Sequence, residues 1–155
     1  SLYSTIEAKF SKGLYHSNDR SIVFLEDYAY LINALIDLSE ATLNSKYKIR
    51  AKELCQKVIK DFYLEDEQIF QKNKKGYNDI FYNPVDISDN TIPNGNSVML
   101  INFCKLGFEK EGQALANSLN GYLNIYKSFM TSSIKSIDFF NTNKSEKICT
   151  NQGCN

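Results

Sequence analysis

Two segments of this 155-residue chain are apolar almost all the way round a helix, and each precedes a segment apolar along one stripe only. In FLEDYAYLINALIDLSEAT, Phe24, Leu25, Tyr28, Ala29, Leu31, Ile32, Leu35, Ile36 and Leu38 cover well over half the circumference. A helix of that kind must be covered on most sides. In SKYKIRAKELCQKVIKDFY, by contrast, Tyr47, Ala51, Leu54, Cys55, Val58, Ile59 and Phe62 make one stripe, with Lys and Glu opposite. The pattern then repeats, with SVMLINFCKL apolar nearly all round and EKEGQALANSLNGYL amphipathic. A covered helix followed by a half-exposed one, twice over, predicts an all-α fold of layered helical hairpins, whereas a four-helix bundle would need helices of similar amphipathicity. A short helix over 2–10 and a last one over 124–139 complete the expected set, with a polar tail at 141–155.

The stretch Glu65 to Asn96 is the one long non-helical segment, and loops beyond about 12–15 residues are uncommon unless functional or disordered. This one carries Ile69, Phe70, Tyr77, Ile80, Phe81, Tyr82, Val85 and Ile92, too many apolar groups for a solvated linker. It is expected to be ordered, with IFQ and DIFY pairing as a short hairpin around KNKKGYN. The run KNKK at 72–75 reads as a solvated turn.

Composition narrows the function classes. Eighteen basic and eighteen acidic residues cancel to a formal charge of zero, which argues against a partner bound through a general basic surface, nucleic acid above all. No apolar run approaches the roughly 18 residues of a membrane span. The opening SLYSTIEAKFSKG lacks the charged-then-apolar order of a signal peptide, so a cytoplasmic location is expected. Cys55 and Cys104 fall in apolar helical patterns and read as small buried hydrophobes. Cys149 and Cys154 lie five apart in KICTNQGCN, where a redox pair is a weak signal. His16 is the single histidine, too little for a zinc site, and no P-loop, GxGxxG, CxxC or HExxH occurs. No metal or cofactor is expected.

Two constellations carry polar chemistry. VDISDNTIPNGNSV brings Asp86, Asp89, Asn90, Asn94, Asn96 and Ser97 to the start of a buried helix. Asn96 or Ser97 is placed to cap that helix after the turn at Pro93 and Gly95. The same amide, hydroxyl and carboxylate groups also suit a polyhydroxylated ligand, since each sugar hydroxyl both donates and accepts. Glu26-Asp27-Tyr28 opens the other buried helix. Carboxylates there are favoured by the helix dipole alone, yet Asp27 and Asp89 facing one another would make an acid/base pair.

Three motifs together resemble a known family. FLEDYAYLINALIDLSEAT, PVDISDNTIPNGNSVMLIN and KICTNQGCN occur, in this order, in the C-terminal part of thioredoxin-domain-containing proteins related to spermatogenesis-associated protein 20. The resemblance runs from about Leu14 to the end. It implies an (α/α) six-hairpin toroid similar to that of N-acylglucosamine 2-epimerases and cellobiose epimerases, preceded by a thioredoxin-like domain. About five helices make only part of such a ring, so the chain reads as its C-terminal hairpins, inactive alone. Asp27 and Tyr28 match the family's acidic-Tyr pair, Asp89, Pro93, Gly95, Asn96 and Ser97 its loop motif, and Cys149 and Cys154 its tail pair. Asn94 replaces the usual Ser, and Asn83 stands where an Arg often precedes the loop. The implied function is carbohydrate binding or processing, with Asp27 or Asp89 as acid/base and Tyr28, Asn94, Asn96 and Ser97 on the ligand. The alternative is a non-catalytic scaffold for a thioredoxin-like domain or for self-association.

Overall fold

The computed structural model of the chain describes residues 23–76 and 83–152, the last nine as backbone only. Among them are five helices: α1 (Leu25–Thr42), α2 (Ser45–Phe62), α3 (Gly95–Leu106), α4 (Glu109–Tyr126) and α5 (Thr131–Gln152). The expected helix at 2–10, His16, Cys154 and the DIFY segment lie outside the described residues.

The helices make two rows. α3 packs between α1 and α5, while α2 lies against α1 and α4 against both α3 and α5. The all-round apolar segments α1 and α3 are the inner helices, as their patterning requires. On α3, Val98, Met99, Leu100, Asn102, Phe103 and Leu106 are all buried; on α2 the buried stripe is Ala51, Leu54, Cys55, Val58 and Phe62. Burial pushes the Cys55 thiol up to about 12, so it is an inert packing group. Asn102, wholly buried, donates from Nδ2 to the Ala29 carbonyl of α1 at 2.9 Å and so joins the two inner helices.

Each helix end has a local cause. Leu43 takes a left-handed conformation (φ 55°) and Asn44 caps α2 by accepting the Lys46 N–H at 3.1 Å, so a two-residue link reverses the chain. Asn94, not Asn96 or Ser97, caps α3, accepting the Ser97 N–H at 3.0 Å. Gly95 lets that end close on α1, since a Cβ there would meet Leu25 Cδ2 at 2.9 Å. Gly107 (φ 84°) stops α3.

Among the described residues the hairpin pairs Tyr63–Leu64 (β1) with Ile69–Phe70 (β2) antiparallel, so IF is a strand, while the DIFY half of the expected pairing lies outside the described residues. Phe62, Tyr63, Ile69 and Phe70 are all buried, and the Phe70 ring sits 5.8 Å from Phe103 of α3, which fixes the pairing to the core side. One expectation is corrected: 124–139 is not one helix. α4 runs on to Tyr126, a 3-10 turn follows at Lys127–Phe129, and α5 starts afresh at Thr131 and continues through 141–152. The break lies where Thr131, Ser132 and Ser133 favour a helix start over a helix interior, and where Asp89 binds the new end from outside.

Candidate functional site

The loop 83–94 crosses the N-terminal ends of α1 and α3; two backbone bonds hold it there, and a third ties its Lys72 partner to α1. Leu25 N–H donates to the Lys72 carbonyl at 2.9 Å, Lys72 N–H to the Pro84 carbonyl at 2.8 Å, and Asp89 N–H to the Phe129 carbonyl at 2.7 Å. Asn83 and Asn73 pair reciprocally: Asn83 Oδ1 accepts the Asn73 backbone N–H at 2.9 Å, and Asn83 Nδ2 donates to the Asn73 carbonyl at 2.9 Å. The position where the resembling family often has Arg is therefore a structural amide here.

Between this loop and α1 opens a polar cleft of about 320 Å³, lined by Phe24, Glu26, Asp27, Lys72, Asp86, Ser88, Asn90, Ile92, Pro93 and Asn94. Lys72 Nζ lies 3.4 Å from Asp86 Oδ2 and 5.7 Å from the Phe24 ring centroid. Lys74, two residues on, pairs with Asp61 at 3.2 Å. KNKK is thus not a merely solvated turn: it sends one cation into the cleft and another to α2. Asp27 Oδ2 accepts the Phe24 N–H at 3.0 Å, closing the first turn of α1.

Glu26 differs from its neighbours. Its Oε2 is shut off from solvent with no hydrogen-bond partner among the described residues. Desolvation by burial raises its pKa, and the nearby Asp86 and Asp27 carboxylates add to the rise; its own backbone N–H and the Lys72 ammonium only partly offset this. Sequence reasoning noted Glu26 but credited it to the helix dipole. Lys72 and Ser88 were missed as well, because only the folded loop brings them to α1.

Of the polar residues singled out in sequence, the structure brings Glu26, Asp27, Asp86, Asn90 and Asn94 to this cleft. Asn94 is already engaged: besides capping α3 it donates from Nδ2 to Asp89 Oδ1 at 2.9 Å and to the Ile87 carbonyl at 3.1 Å. Asp89 Oδ1 accepts the Asn94 N–H at 3.2 Å and Oδ2 the Ser132 N–H at 2.6 Å. Its partial burial acts to raise its pKa, but the donors of Ser132 and Asn94 outweigh that and hold it below the usual carboxylate range. Asn96, wholly buried, bonds the backbone of Phe70 and Asp86. Ser97 shares a 2.8 Å bond with Ser133 of α5. Tyr28 is 5% exposed and sets its ring edge-on to Phe62 at 5.8 Å, a core position between α1 and α2. Cys149 lies on α5 where only backbone is described, so the pair with Cys154 falls outside the described side chains.

No protein-family model matches this sequence, and no curated protein matches it.

Proposed function

We propose that these helices are the C-terminal hairpins of a larger (α/α) toroid, and that the cleft between α1 and the 83–94 loop takes a hydroxylated, carbohydrate-like ligand. Two rows of alternating inner and outer helices support the first part. The observation that carries the second is Glu26, a carboxyl buried in a small polar cleft with a raised pKa and one oxygen unpartnered among the described residues. A carboxyl accepts on its oxygens and, in its protonated form, which the burial favours, also donates, as a sugar hydroxyl does both. Asp86, Ser88, Asn90 and Lys72 supply further acceptors and donors around it. In a processing version, Glu26 takes over from Asp89 as the proton donor, with Asp27 or Asp86 as the second carboxyl group.

Titration of the chain with a panel of neutral mono- and disaccharides, followed by amide NMR, tests this. A member of the panel is expected to shift the amides of 25–27 and 86–94 saturably, and Glu26→Gln to weaken that binding by about tenfold, or about 1.4 kcal/mol. The same variant carries a stability signature. Because the folded-state pKa is raised, the ionised carboxylate is a penalty absent in acid and growing as pH rises through that pKa. Glu26→Gln is therefore expected to raise the melting temperature at neutral pH and to lose that advantage below the ordinary glutamate range. A panel that leaves the cleft amides unmoved, or a variant that binds as tightly as wild type, would sink the reading.

A second reading, a non-catalytic scaffold, is favoured by the engagement of Asp89, Asn94, Asn96 and Ser97 in holding the fold. It is also favoured by exposed apolar side chains around the α4–α5 connection, where Ile125 is 72% and Phe129 64% accessible. Light scattering is then expected to show mass rising with concentration, reduced by Phe129→Ser; a monomer at every concentration counts against it.

A further inference from the structure

The walls of the polar cleft carry unequal charge. Glu26, Asp27 and Asp86 are acids, and Lys72 is the single cation among the lining residues. That ammonium is already engaged, 3.4 Å from Asp86 Oδ2 and 5.7 Å from the Phe24 ring centroid. Lys74, the next cation in the chain, pairs with Asp61 of α2 instead. Behind the cleft wall the imbalance persists. Tyr30, one turn beyond Glu26 on α1, has its hydroxyl pushed up by burial and then by the carboxylates of Glu26 and Asp89.

Among the three acids Glu26 is the one left unmet. Asp27 closes the first turn of α1 on the Phe24 N–H, and Asp86 has Lys72. Glu26 Oε2, by contrast, is shut off from solvent with no hydrogen-bond partner among the described residues. An acceptor so placed is destabilising, the more so when ionised, and burial accordingly pushes its pKa up. A neutral donor from a ligand removes only the hydrogen-bonding part of that penalty. A cationic donor removes the charge part as well, through a charge-assisted bond roughly twice as strong as a neutral one. An anion is disfavoured, since no arginine among the lining residues offers it a planar fork.

We infer that the cleft selects a hydroxylated ligand bearing one free ammonium group, an amino sugar rather than a neutral or acidic one, with the ammonium on Glu26 and hydroxyls on Ser88 and Asn90. This rests on the binding version of the carbohydrate reading and narrows it. One charge is the complement, because Asp86 already has its cation and Asp27 is held to the helix end. The volume of about 320 Å³ is at the small end of ligand pockets, the scale of a single monosaccharide.

Amide NMR of the whole chain at neutral pH tests the inference. The probes are 2-amino-2-deoxyglucose, 6-amino-6-deoxyglucose, N-acetylglucosamine (the nitrogen without its charge), glucose, and ethylamine (the charge without hydroxyls). At least one amino sugar is expected to shift the amides of 25–27 and 86–94 saturably. It should bind about tenfold more tightly than glucose, N-acetylglucosamine or ethylamine. Glu26→Gln should cut the preference over glucose to about twofold. Lys72→Met, which removes the competing cation, should widen it by about threefold, and added salt should narrow it in the wild type. Glucose that shifts the cleft amides while neither amino sugar binds more tightly overturns the inference and leaves the carbohydrate reading in place. Cleft amides unmoved by every sugar remove both. The inference also falls if N-acetylglucosamine or ethylamine matches the amino sugars, or if the preference survives Glu26→Gln intact.

Discussion

Asn96→Ala is expected to destabilise the chain by about 3–5 kcal/mol, a fall in melting temperature of roughly 10–15 °C, with no ligand present. The Asn96 amide lies against the open edge of β2, where its Oδ1 accepts the Phe70 N–H at 3.0 Å and its Nδ2 donates to the Phe70 carbonyl at 3.0 Å. It thus does for Phe70 what a third strand would do, and a further bond at 3.1 Å ties the Asp86 carbonyl to the same nitrogen. Alanine leaves three backbone groups without these bonds in a place where Asn96 itself is wholly buried. Water enters such a site poorly, so the full desolvation penalty applies to each. Asn96→Asp should be worse than alanine at neutral pH, because it turns a carboxylate oxygen toward two carbonyls. Thermal and denaturant melts check both. A stable Asn96→Ala chain with altered ligand binding would return Asn96 to the ligand role its motif suggests.

That example shows where the sequence is legible and where it stops. The inner and outer helices were readable because burial repeats at the helical period within each segment, so every turn restates the answer. Asn96 was placed correctly at a buried helix start, yet its partners are 26 and 10 residues away, and nothing local marks them. β2 shows the same limit: Phe70 is fixed by burial against Phe103 and by Asn96, both on α3, and nothing beside IFQ in the sequence marks either contact. Glu26 reads locally as a dipole-favoured first-turn carboxylate. Only the loop folded over it supplies the burial and the neighbouring Asp86 that raise its pKa. The polar segment VDISDNTIPNGNSV divides in the fold. Asp86, Ser88 and Asn90 face the cleft, whereas Asp89, Asn94 and Asn96 build the walls.

Those walls depend most on Asp89, and Asp89→Ala is expected to cost about 2–3 kcal/mol, or roughly 6–10 °C in melting temperature. The carboxylate joins the 83–94 loop to the first turn of α5, taking the Ser132 N–H on one oxygen and both Asn94 donors on the other. Met130, which precedes α5, has no side-chain oxygen with which to cap it, so Asp89 supplies the cap from 43 residues away. Its depressed pKa fixes the pH dependence. The stabilisation is present above the ordinary aspartate range and is lost as pH falls through the folded-state value, so wild type and variant should converge in acid. Asp89→Asn should recover only part of the loss, since its amide nitrogen must face N–H donors. Hydrogen exchange gives the local check: the Asn94 and Ser132 amides should lose protection in Asp89→Ala before the α1–α2 hairpin does. Equal loss throughout the molecule would mean that the clasp is part of the global core, and an acid-independent difference between the two chains would show that the charge of Asp89 is not what holds the loop.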